Sequence, residues 1–163
     1  TYENISPYFT TYVRSKQYWK SRFNENGLWD DNYGMMAVCS RDSGEILALI
    51  YFFNHSYVVG YEISFTFLTQ EIRSTSVNVE AVRIFTAYLF STYNIPRIQF
   101  NTLLQKKDDE RTKGYLKSIN FTKEGVMRKA SFIRGNLVDL QLFSALREEY
   151  QPLDKILEEY QGN

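Results

Sequence analysis

Residues 60–68 read Gly-Tyr-Glu-Ile-Ser-Phe-Thr-Phe-Leu, and one face of that run is polar three times in succession, at Glu62, Ser64 and Thr66. Successive strand side chains point to opposite faces, so Tyr61, Ile63, Phe65 and Phe67 turn to a core while the polar row lines a cleft. Glu62 is the member of that row able to take up a proton. A second chemical feature follows at once. Glu71-Ile-Arg-Ser-Thr-Ser-Val-Asn-Val-Glu80 lies where the strand pattern gives way to a helical one, from Val77 onward. A helix N-terminus carries free N–H groups and the positive end of the helix dipole, which suits an anion such as a phosphate. The hydroxyls of Ser74, Thr75 and Ser76 can join in that task or can cap the helix.

These groups need elements to hold them. Pro7 to Phe23 sets Tyr8, Tyr12, Tyr18, Trp19 and Phe23 at roughly helical spacing with basic residues between, which predicts one or two helices with an aromatic face. Met35 to Ser40 and Glu45 to Asn54 predict a hairpin about the turn Asp42-Ser43-Gly44; the second strand, apolar on both faces, is central. After the strand of Glu62, Val77, Ala81, Ile84, Tyr88 and Leu89 fall on one helical stripe, ended by Tyr93-Asn94-Ile95-Pro96. Arg97 to Leu104 reads as a strand and Glu110 to Ile119 as a short helix with Asn120 as its left-handed terminator. Phe121 to Ile133 and Leu137 to Leu146 are two long strands joined at Arg134-Gly135-Asn136, and Pro152 to Tyr160 is a last helix. The expected architecture is a single α/β domain over residues 1–163.

Composition narrows the function classes. Lys+Arg and Asp+Glu are equal at 19 each, so the overall balance favours neither nucleic acid nor an acidic membrane. Cys39 is the one cysteine, which excludes an internal disulfide and a zinc site built on several thiolates. Its apolar neighbours predict a buried small hydrophobe. No constellation suggests metal chemistry. No apolar stretch reaches the ~20 residues of a membrane span and no signal-like segment is evident, so a cytoplasmic location is expected.

The most specific spacing lies in the last third: Phe121, Glu124, Gly125 and Arg128, then Phe132, Ile133, Gly135 and Asp139, then Ser144, Leu146, Glu149 and Tyr150. It resembles the GNAT acetyltransferases, and within them the branch of ribosomal-protein alanine and serine N-acetyltransferases and their small-molecule relatives. Tyr61 to Phe65 is similar to that family's Glu-Ile-Gly-Tyr strand, and Arg73 to Asn78 to its Arg-x-x-Gly-x-Gly/Ala turn. The resemblance covers about Ser15 to Tyr150. It implies a mixed, mostly antiparallel twisted sheet flanked by helices. The strand that normally opens that fold is not evident before Tyr2.

The implied reaction is attack by a primary amine on the thioester of acetyl-CoA, the co-substrate. The amine would belong to a small molecule or a protein N-terminus. The resemblance makes Glu62 the base. His55, the one histidine and expected in the loop before that strand, is the second choice on residue type alone. The resemblance gives Phe67, Leu68 and Thr69 to the groove that holds the co-substrate, and Arg73, Ser74, Thr75, Ser76, Val77 and Asn78 to the pyrophosphate turn. Ser76 and Asn78 stand where the family has small residues, and Asp109 where it has asparagine. Leu116 takes the place of the family's acid tyrosine; Tyr115, adjacent but rotated about 100° around the helix, is the remaining candidate acid. These departures gather on the cofactor side. They leave two alternatives open beside the enzyme: a GNAT-fold binding module within a larger protein, and an acyltransferase fed by a carrier-protein thioester. Relatives are often dimers, and the aromatics near Tyr8 to Trp19 would allow a homodimer.

Overall fold

The computed structural model describes residues 29–30, 33–56, 60–67, 75–103, 109–133 and 135–161. The expected basic-aromatic helices at 7–23 lie outside them. The elements run β1 (Trp29–Asp30), β2 (Tyr33–Cys39), β3 (Ile46–Ser56), β4 (Gly60–Phe67), α1 (Val77–Thr92), β5 (Arg97–Leu103), α2 (Asp109–Ser118), β6 (Thr122–Ile133), β7 (Asn136–Leu146), a 3-10 turn (Arg147–Glu149) and α3 (Leu153–Gln161). The strands form one seven-stranded sheet in the order β1-β2-β3-β4-β5-β7-β6. Its pairings are antiparallel except that of β4 with β5. The mixed, mostly antiparallel sheet flanked by helices is therefore as expected.

β3 is the central strand its composition predicts. Its adjacent residues Tyr51 and Phe52 are 8% and 0% exposed, so both faces are covered. Phe52 packs its ring 4.6 Å from Tyr61 and 5.7 Å from Tyr93, tying the sheet to the end of α1. Burying a side chain of this size contributes roughly 1.5–3 kcal/mol. Leu116 brings α2 onto the same core, with Ile119 just after it, and Ile156 brings α3. Asn120, at φ 58°, ends α2 in the left-handed conformation.

The C-terminal spacing is architectural. Asp139 accepts a hydrogen bond from the Lys129 N–H at 2.7 Å, where Lys129 takes φ 52° within a register shift between β6 and β7. Tyr150 donates its hydroxyl to the Ile119 carbonyl at 3.2 Å. Arg147 donates from Nε to the Ile95 carbonyl at 2.8 Å and from Nη2 to the Tyr93 carbonyl, holding the turn from which β5 starts.

Helix α1 buries Val82, Phe85, Thr86, Ala87, Leu89 and Phe90. Of the stripe read from the sequence, Leu89 is buried and Ile84 and Tyr88 pack, partly buried, against the same core; Val77, Ala81, Ile84 and Tyr88 also line a groove of about 550 Å³ against β2 and α3. Two expectations are corrected. His55 lies in β3, not in a loop, because the strand continues past a register shift at Asn54/Ser56. Cys39 is exposed. It is the last residue of β2 and sits just beyond a register shift at Val38/Cys39, where strand alternation no longer turns it inward. The thiol is expected to react fully with a disulfide reagent such as Ellman's under native conditions; reaction only after unfolding would contradict its exposure.

Candidate active site

The parallel contact between β4 and β5 spans only two residue pairs, Tyr61↔Ile98 and Glu62↔Gln99. Beyond them the strands follow different neighbours. β4 stays with β3 as far as Ala48↔Phe67, while β5 stays with β7 as far as Leu103↔Leu140. Among the described residues, the facing edges at 63–67 and 100–103 have no partner strand, and a wedge opens between them. Backbone groups on such edges call for a hydrogen-bonding occupant.

Gly60 makes the close end of the wedge possible. It takes φ +102°, and a Cβ built on it would lie 1.8 Å from the Arg97 carbonyl oxygen. Only a residue without a side chain lets the two backbones approach this closely.

Glu62 stands at the apex, in the last pair before the strands part, and is 7% exposed. Its Oε2 accepts a hydrogen bond from Gln99 Nε2 at 2.9 Å. Gln99 Oε1 accepts in turn from Arg97 Nη1 at 2.9 Å. Arg97 Nη2 lies 3.5 Å from Glu124 Oε1. Ser144 donates its hydroxyl to that same carboxylate oxygen. The Ser144 hydrogen bond, reinforced by Arg97, holds the Glu124 carboxyl below the usual carboxylate range. A polar chain thus crosses four strands and ends on Glu62.

Ser76 takes φ −71° and ψ −13°, a conformation open to any residue, and its side chain makes no cap hydrogen bond. The capping role open to Ser76 in the sequence is therefore not the one it performs. Thr75 and Ser76 are exposed, and Val77 and Asn78 half-buried.

No family model matches the chain. A curated relative, the uncharacterized N-acetyltransferase p20 of Bacillus licheniformis, is 36% identical over 73 residues, which is 44% of this chain and 38% of that protein. The chain thus aligns with well under half of that relative's length. Among solved structures, the spermidine N-acetyltransferase of Vibrio cholerae in complex with CoA and spermine superposes at TM-score 0.72 with 15% identity, over 90% of this chain and 85% of that one. A GNAT-family acetyltransferase from Bacillus anthracis superposes at TM-score 0.71 with 18% identity, over 90% and 83%. The chain has the fold of the GNAT acetyltransferases.

Within this GNAT fold, the structure places Glu62 where the sequence put it, on the buried polar face of β4. Phe67 closes β4, while Leu68, Thr69, Arg73 and Ser74 lie outside the described residues. Tyr115 packs against the core beside Tyr150, and burial pushes its phenol above the ordinary range. Leu116 is fully buried and points into the core. Among the described residues no cluster of acidic, histidine or cysteine side chains could hold a metal, and no helix is long and apolar enough to cross a membrane. Sequence reasoning missed Gln99 and Arg97. The signal was present in the alternation Arg97, Gln99, Asn101 on β5, which mirrors Glu62, Ser64, Thr66 on β4.

Proposed function

We propose that this chain is an acetyl-CoA-dependent N-acetyltransferase in which a primary amine attacks the thioester directly. The observation that carries the reading is the open β4–β5 junction with a buried carboxylate at its apex. The unpaired strand edges suit the amide-bearing arm of the co-substrate, and the N-terminus of α1 suits its pyrophosphate. The Ser76 hydroxyl, which makes no cap bond, adds a donor beside it. The co-substrate supplies the activated acyl group; the chain's part is to align the two reactants and to move protons.

Glu62 is the base in this reading. It takes the proton that an ammonium must lose before its nitrogen can attack. Tyr115 is the candidate acid, though a phenol packed against the core and held above its ordinary range gives up its proton reluctantly. The acceptor class is a small polar amine or a protein N-terminus. A structural neighbour is named for spermidine, and the C-terminal spacing from Phe121 to Tyr150 supports kinship with the alanine and serine N-acetyltransferase branch.

Calorimetry and thermal unfolding with acetyl-CoA test the reading. Saturable binding is expected, with about 2.7 kcal/mol of added stability at a hundred times Kd. Absence of any heat or shift at millimolar acetyl-CoA would overturn it.

A further inference from the structure

We infer that Gln99 is a positioning residue for Glu62, with its amide turned by Arg97 so that it offers the carboxylate a donor and never an acceptor. The inference rests on the reading of Glu62 as the base.

An amide side chain presents an oxygen acceptor at one corner and an N–H donor at the other, and either could face a neighbouring carboxyl group. Arginine has donors only. With Arg97 Nη1 at 2.9 Å, the Gln99 oxygen must face Arg97, and the Gln99 N–H must then face Glu62. The backbone fixes the rest. Gln99 is paired with Glu62 on one side and with Ser144 on the other, and it is 5% exposed. Ser144 donates to Glu124, and Glu124 lies against Arg97, so the group that turns the amide is itself held from the neighbouring strands. Arg97 on β5 and Glu124 on β6 are the charged groups joined to Glu62 through this chain. The arrangement ties Oε2 of Glu62 to an N–H donor at the mouth of the wedge, leaving Oε1 to meet the amine.

A residue that merely filled space at position 99 would affect stability alone. The two roles separate in the titration of Glu62, followed by carboxyl carbon NMR and assigned with Glu62→Gln. Gln99→Met keeps the bulk and removes the donor. It is expected to move the Glu62 midpoint up by about one pH unit. Arg97→Met, which frees the amide to turn over, should move it in the same direction by less. The acidic limb of kcat/KM should follow, with KM for acetyl-CoA unchanged, using spermidine, glucosamine and an alanine-initiated peptide as acceptors. An unmoved midpoint in folded Gln99→Met overturns the inference, as does a moved midpoint with a stationary rate profile. Should Gln99→Met not fold, an unmoved midpoint in Arg97→Met overturns it instead. If wild-type protein acetylates none of the three amines, the proposed function fails on that result, while the NMR titration still decides whether Gln99 governs Glu62.

Discussion

Glu62→Gln is expected to lower kcat/KM for acetyl transfer by about 10²–10⁴-fold, the usual worth of a positioned general base. The substitution is nearly isosteric. A glutamine oxygen at position 62 can still accept from Gln99 Nε2, so the sheet pairing at Glu62↔Gln99 should persist. What disappears is the ability to take a proton from the incoming ammonium. KM for acetyl-CoA should therefore hold while turnover falls, and the loss should shrink at high pH, where more of the amine arrives unprotonated. Steady-state release of free CoA, followed with a thiol reagent after desalting, reads both. Cys39 must first be blocked or replaced, because its exposed thiol would add to the signal. A fall of less than tenfold, or a rise in KM alone, would show that Glu62 binds rather than deprotonates.

Gly60→Ala is the second large effect, and it acts on the frame instead of the chemistry. The added methyl would meet the Arg97 carbonyl oxygen at 1.8 Å, and the obstacle is backbone, which cannot swing aside as a side chain can. The φ of +102° adds strain for any residue with a Cβ. Relief requires β4 to move from β5 where only two residue pairs join them. A loss of about 4 kcal/mol or more is expected in urea unfolding. Gly44→Ala is the matched control: φ is +72° but no atom lies within 4 Å of the new Cβ, so only the backbone conformation resists, at about 1–2 kcal/mol. Equal losses in the two variants would mean that the close approach at Gly60 does not hold the junction.

Local features were readable because each has a local cause. Asn120 ends α2 at φ 58° because a short polar side chain tolerates that conformation, and Gly135 turns the β6–β7 hairpin at φ +81°. The alternation from Tyr61 to Phe67 placed Glu62 on the correct face for the same reason. Helix α1 was legible only in part because it carries two apolar rows. Val77, Ala81, Ile84 and Tyr88 form one and Val82, Phe85 and Leu89 the other, and periodicity does not say that the second is the more deeply buried. Cys39 misled because a register shift between strands leaves no mark in either strand alone. β1 went unseen because two residues carry no pattern.

The candidate site was legible in its parts and not in its assembly. The place of Glu62 on β4 followed from residue type and strand alternation. Gln99 and Arg97 did not, because their importance comes from pairing across strands that are 37 residues apart at Gln99 and Glu62. The wedge itself is a relation between β3–β4 and β5–β7, and no single segment encodes it. Its glycine did stand in the sequence, but only the approach of Arg97 shows why that position excludes a side chain.

In the proposed reaction, the parting of β4 from β5 beyond Glu62 receives the thioester. A crystal structure of the protein with acetyl-CoA tests it most directly. The account predicts the thioester arm lying between residues 63–67 and 100–103, its pyrophosphate at the start of α1 and its carbonyl within reach of the Glu62 side of the wedge. Acetyl-CoA bound elsewhere, with β4 and β5 closed against each other, would contradict it.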